Sequence, residues 1–102
     1  MCGLVFLYQG DIPQPVLSER VAEALTKMTH RGPDDQGITC EPPYAMGHRR
    51  LSIVDLGGSH QPLVSSNQRY VFAFNGEIYN YQELRDSLKS SWDFRTKGDT
   101  EV

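Results

Sequence analysis

A cysteine stands second in the chain, before a glycine, and three polar groups interrupt apolar stretches further on: His48-Arg49-Arg50, Asn75-Gly76-Glu77 and Gly98-Asp99. Their residue types are complementary to an amino acid. A guanidinium grips a carboxylate through two parallel hydrogen bonds, which the point charge of lysine does less well. An aspartate at a helix start can hold an ammonium group. An asparagine amide followed by a glycine N–H can aim two donors at one oxygen. That is the make-up of an oxyanion hole, where loss of one donor costs about 3–4 kcal/mol of transition-state stabilisation. Taken singly, each group has an ordinary explanation: Asn75-Gly76 is a hairpin turn, Asp99 a helix cap, Arg49 and Arg50 solvated charges, Glu77 a surface carboxylate. Only as a set do they point to a site.

Rigid elements must hold such a set. Leu4–Tyr8 reads as a continuous apolar strand buried on both faces. Gln9-Gly10-Asp11-Ile12-Pro13 turns the chain. A helix is expected from Ser18, its N-cap, to Thr29, with Leu17, Val21, Leu25 and Met28 on one face. His30–Gly37 has loop chemistry throughout. Short strands are expected at Ile38–Cys40, Tyr44–Gly47 and Leu51–Leu56. A strand at Arg69–Asn75, apolar on both sides, needs cover on both faces. Asn80 with Glu83 is a capping box for a helix whose inner face carries Leu84 and Leu88. Trp92–Arg95 reads as a further short strand, and Lys97–Val102 as a turn into a new helix. Strands needing two covered faces, few helices and an end on a helix start suggest part of a larger domain.

The 102 residues, 38% of them hydrophobic, have the size and composition of one small domain, and the net charge of −3 comes with scattered Lys and Arg. No basic stripe tracks phosphates, so no nucleic-acid role is expected. No apolar run approaches the ~20 residues of a membrane span. The two cysteines make no disulfide framework, which favours a reducing, cytoplasmic setting. Cys40 reads as a small core or strand residue. His30, His48 and His60 lack metal-ligand spacing, so no metal is expected.

In one order along the chain, "MCG", "HRGPDDQG" (30–37), "GHRRLSIVDL" (47–56), "QPL" (61–63), "FNGEIYNY" (74–81) and "GDTEV" (98–102) resemble the glutaminase domain of glutamine-dependent asparagine synthetases. That domain is a class II amidotransferase with an N-terminal nucleophile. The resemblance implies an α+β fold, part of an αββα sandwich of two stacked, mainly antiparallel sheets with helices outside. Residues 1–102 look like the N-terminal half of the type-2 amidotransferase domain, with the rest of it and a synthetase domain still to come. It further implies that Met1 is removed and that Cys2 attacks the side-chain amide of glutamine, with Asn75 and Gly76 stabilising the oxyanion. Arg50 would hold the α-carboxylate, Asp99 the α-ammonium with Glu77 at that end, and the backbone of Arg50, Leu51, Ser52, Ile53 and Val54 would line the site. The family often has Glu or Thr where Arg49 stands, which leaves the partner of Arg49 open.

The chemistry of an N-terminal cysteine fits that implication independently. A thiol needs a base, and an α-amine has a pKa of ~7.7–8.0. A nucleophile at residue one carries its own base and needs no catalytic histidine. His30-Arg31-Gly32-Pro33-Asp34 then reads as structural, with Arg31 and Asp34 pairing across the loop. No cofactor is expected on these residues; ATP and Mg belong to the synthetase domain. The implied partners are L-glutamine and that domain of the same chain, with room for a homodimer of the full-length form and none for nucleic acid or a membrane. A glutamine-binding regulatory module without turnover, an amidotransferase with an acceptor other than aspartate, and a purely structural fragment stay open as alternatives.

Overall fold

A computed structural model describes residues 1–52 and 58–102 of the chain. Among them the order is β1 (Gly3–Tyr8), α1 (Gln14–Lys27), β2 (Asp35–Glu41), β3 (Tyr44–Arg50), β4 (Leu63–Val64), β5 (Val71–Phe72) and α2 (Tyr81–Leu88). Two antiparallel sheets form, a three-stranded one ordered β1-β3-β2 and a β4-β5 pair. Two helices with two antiparallel sheets give the α+β architecture expected of part of an N-terminal-nucleophile fold.

Strand alternation divides the larger sheet into two faces. The register Val5↔Gly47↔Ile38 and Leu7↔Ala45↔Cys40 places these residues together. Against them α1 packs Leu17, Val21 and Leu25, all fully buried, with Met28 beside them. This is the stripe that the helical spacing predicts. Close approach depends on Gly47, where a Cβ would stand 2.6 Å from Val21 Cγ1. The opposite face carries Leu4, Phe6 and Tyr8, which are 42%, 62% and 69% exposed. β1 is therefore half-buried in strict alternation rather than covered on both faces, and Phe6 stacks on Tyr44 within the sheet at 6.1 Å between ring centroids. The distal end of this face is covered: the Gln61 carbonyl lies against Gly37, and Phe74 O against buried His48.

Several boundaries move, each for a local reason. α1 begins at Gln14, behind an N-cap at Pro13 and with a proline in its first turn, so Ser18 lies inside the helix. Proline suits that turn because its φ is preset and its missing N–H has no helical acceptor to serve. β2 and β3 take in Asp35-Gln36-Gly37 and His48-Arg49-Arg50, because β3 is paired on both edges. The strand expected at Arg69–Asn75 shrinks to Val71–Phe72. At Trp92–Arg95 no strand forms; the Glu101 carboxylate accepts the N–H groups of Arg95 and Thr96 (3.0 and 2.7 Å) that a ladder would need. Helix α2 has its N-cap at Asn80 but no side-chain capping bond, and Leu84 and Leu88 are exposed. It is tied down through Arg85, which donates to Gly98 O at 2.9 Å and lies 4.3 Å over the Phe94 ring. In the strand expected at Leu51–Leu56, Leu51 and Ser52 are irregular and the remainder lies outside the described residues.

Candidate functional site

Cys2 sits immediately before β1, half-buried, and its main chain is held from two sides. Its N–H donates to Asn75 Oδ1 at 3.1 Å, and its carbonyl accepts from Arg31 Nε at 3.1 Å. The Leu51 N–H points at its sulfur, 3.4 Å away. Since the Asn75 oxygen faces an N–H, the amide nitrogen at the other end of the same side chain is left as a donor.

The loop before β2 holds the other wall. Gly32 is buried against the Arg49–Arg50 peptide, and a Cβ there would run into that backbone. The Asp34 N–H donates to Arg50 O at 3.0 Å, and its Oδ2 accepts the Ser52 N–H at 2.8 Å. Arg31 and Asp34 therefore do not pair with each other. Arg31 braces Cys2 and Asp34 the end of β3.

Arg50 closes β3, almost wholly buried, and borders the cleft. Arg49, on the opposite face by alternation, donates from Nη1 to Gln36 Oε1 of its cross-strand neighbour at 2.8 Å. Its partner is thus identified and its charge points away from Arg50. His48 is fully buried, with Nε2 at 3.2 Å from Phe74 O. Burial above all, aided by the Arg50 charge and opposed by the Phe74 carbonyl and Asp35, pulls its pKa below the usual 6.5.

After β5 the chain presents Asn75, Gly76 and Glu77, all exposed. A Cβ on Gly76 would stand 2.6 Å from the Phe74 ring, which explains the glycine beside the amide donor. Asp99 Oδ2 accepts the Ile78 N–H at 2.8 Å, linking the last turn to the segment behind Glu77.

One cleft of about 330 Å³ gathers Cys2, Arg50, Leu51, Asn75, Gly76, Glu77 and Asp99. That volume suits a small-molecule ligand. Ser52 does not line it, its N–H being engaged by Asp34, and Ile53 and Val54 lie outside the described residues. Ser59, Gln61, Phe74 and Thr100 join the lining without having been singled out from sequence. Gln61 and Thr100 do fall inside the quoted "QPL" and "GDTEV" stretches, the one available signal for them.

A thiol, an amide donor next to a glycine, a buried guanidinium and two carboxylates around one cleft define a site that can hold an amino acid and cleave an acyl derivative of it. The chain belongs to the glutamine amidotransferase domain family, whose model matches residues 1–102. It is 40% identical to asparagine synthetase [glutamine-hydrolyzing] 1 of Bacillus subtilis, over all of this chain and 17% of that protein. With asparagine synthetase B [glutamine-hydrolyzing] of Escherichia coli it shares 37% identity, over all of this chain and 18% of the relative. Asparagine synthetase [glutamine-hydrolyzing] 2 of Oryza sativa is 42% identical, again over the whole chain and 17% of its own length. The chain thus spans about a sixth of the curated relatives it matches. No helix among the described residues is long and apolar enough to cross a membrane.

Proposed function

We propose that these residues form the glutamine-hydrolysing site of an ATP-dependent asparagine synthetase, with Cys2 as nucleophile once Met1 is removed. The observation that carries this reading is the convergence of Cys2 and Asn75, with Cys2 N bonded to Asn75 Oδ1, in the cleft that Arg50 and Asp99 also line. The Cys2 amine takes the thiol proton, directly or through a water, and the sulfur attacks the side-chain amide carbon of glutamine. Asn75 Nδ2 and the Gly76 N–H stabilise the oxyanion. Collapse breaks the C–N bond; the leaving nitrogen takes the proton from the amine and departs as ammonia. Water then hydrolyses the glutamyl thioester, giving glutamate and returning the thiol. Arg50 grips the α-carboxylate, and Asp99 with Glu77 takes the α-ammonium.

The ammonia would serve the asparagine-synthetase activity that the names of the relatives give, in a synthetase domain of the same chain that we propose uses ATP and Mg and acts on aspartate. Two free cysteines fit a reducing, cytoplasmic setting. The test is intact mass of the full-length protein before and after 6-diazo-5-oxo-norleucine. Loss of Met1 and a single adduct on Cys2, blocked by glutamine, is the expected result. Retained Met1 would leave an amide where the base must be and would overturn the catalytic reading. A processed Cys2 that takes no adduct but still binds glutamine would mark a regulatory module instead.

A further inference from the structure

Gln61 has no part in the chemistry above, yet it is only 6% exposed and connects both halves of the cleft. Its Oε1 accepts the Phe74 N–H at 2.6 Å, and its Nε2 donates to Thr100 Oγ1 at 3.2 Å. Phe74 immediately precedes Asn75-Gly76, and Thr100 immediately follows Asp99. The Gln61 backbone is itself seated on the larger sheet, since a Cβ on Gly37 would run into its carbonyl oxygen. A carboxamide suits this place because one end only accepts and the other only donates. With both ends engaged in a buried position, the side chain holds one rotamer, and losing either bond leaves a buried group unmatched.

We propose that Gln61 is a positioning residue that sets the spacing between the oxyanion donors, Asn75 and Gly76, and the ammonium-binding Asp99. The amide to be cleaved and the α-ammonium of one substrate molecule must be met at once, at the separation glutamine imposes. A strut between the two holders matches the cleft to that length. The inference rests on the glutaminase reading and adds to it the group that fixes its geometry.

The test uses the full-length protein with Met1 removed. Gln61→Met keeps the side-chain length but offers no donor and only a weak acceptor. Endpoint labelling with 6-diazo-5-oxo-norleucine counts folded sites, and glutamine turnover is expressed per labelled site. Turnover per site is expected to fall about 10–100-fold, the scale of an oxyanion displaced from its donors by about 1 Å. Thr100→Val cuts only the Asp99 end and is expected to raise KM for glutamine about 2–10-fold with little change in kcat. Unchanged turnover per labelled site in Gln61→Met, with only the labelled fraction reduced, would overturn the inference. If Gln61→Met yields no labelled protein, Thr100→Val decides, and an unchanged KM overturns it. A wild-type protein that neither turns over glutamine nor takes the label would overturn the glutaminase reading, and the inference with it.

Discussion

The main-chain nitrogen of Cys2 lies 3.1 Å from Asn75 Oδ1, joining residues 73 positions apart through the atom that serves as base in the proposed mechanism. This one bond orients two groups. It aims the nitrogen of the nucleophile, and it turns the Asn75 amide so that its donor end is directed elsewhere. In the proposed mechanism the same asparagine steadies the base and meets the oxyanion, each through its own end.

Asn75→Asp separates those duties. The acceptor oxygen for the Cys2 nitrogen remains, and the donor is replaced by a second oxygen. kcat for glutamine hydrolysis is expected to fall about 100–1000-fold, with KM little affected. Ammonia release measured across a glutamine titration checks this. A loss below about 10-fold would remove Asn75 from the oxyanion hole.

Arg50→Lys tests the carboxylate grip. The charge remains but the two-pronged geometry is lost, in a position that is almost wholly buried at the end of β3. KM for glutamine is expected to rise about 10–100-fold, the scale of one charge-assisted hydrogen bond, with a smaller change in kcat. The same titration reads it, and an unchanged KM would place the α-carboxylate elsewhere.

The residues proposed to do chemistry stood out in the sequence because their types are improbable as a set, and Cys2, Arg50, Asn75, Gly76, Glu77 and Asp99 line one cleft. The core helix was legible through its spacing, since Leu17, Val21 and Leu25 follow the helical period. The residues that hold the chemistry in place were not. Arg31 reaches Cys2 across 29 positions and Asp34 reaches Ser52 across 18, and a side chain bonding to distant backbone leaves no period to read. Proximity in sequence suggested that Arg31 and Asp34 pair with each other, whereas each braces a different strand end. Gln61 escaped for the same reason, with partners 13 and 39 positions away. The start of α1 differs from the Ser18 cap that the sequence suggests, because Pro13 and the proline of the first turn begin it earlier with no side-chain cap. Ile53 and Val54, expected to line the site, lie outside the described residues.

Gly32 offers a steric test of the brace behind Arg50. In Gly32→Ala the new methyl meets the Arg49–Arg50 peptide, which is backbone and cannot swing aside. A destabilisation of about 1–3 kcal/mol is expected, with a raised KM for glutamine as the end of β3 shifts. Gly10→Ala is the control: a Cβ there meets nothing within 4 Å, and no glycine among the described residues has a positive φ. Denaturant midpoints for the two variants should differ clearly, and equal midpoints would mean that the loop before β2 yields without disturbing β3.

His48 predicts the direction of the acid response. Burial holds its pKa below 6.5, and the neutral ring donates from Nε2 to Phe74 O while Nδ1 has no hydrogen-bond partner. Between that lowered value and 6.5 the unfolded chain binds the proton that the folded chain refuses. Stability then rises with pH, so it must fall as pH drops from about 6.5 toward the folded-state value. Arg50 beside it adds to the effect and Asp35 opposes it without reversing it. One such group contributes a slope of up to about 1.4 kcal/mol per pH unit. His48→Gln keeps a donor for Phe74 O but does not titrate. Denaturant unfolding at pH 7.5, 6.5 and 5.5 should show a shallower acid limb in His48→Gln than in the wild type. Equal slopes would mean that the folded chain takes up the His48 proton as readily as the unfolded chain, without breaking the contact to Phe74.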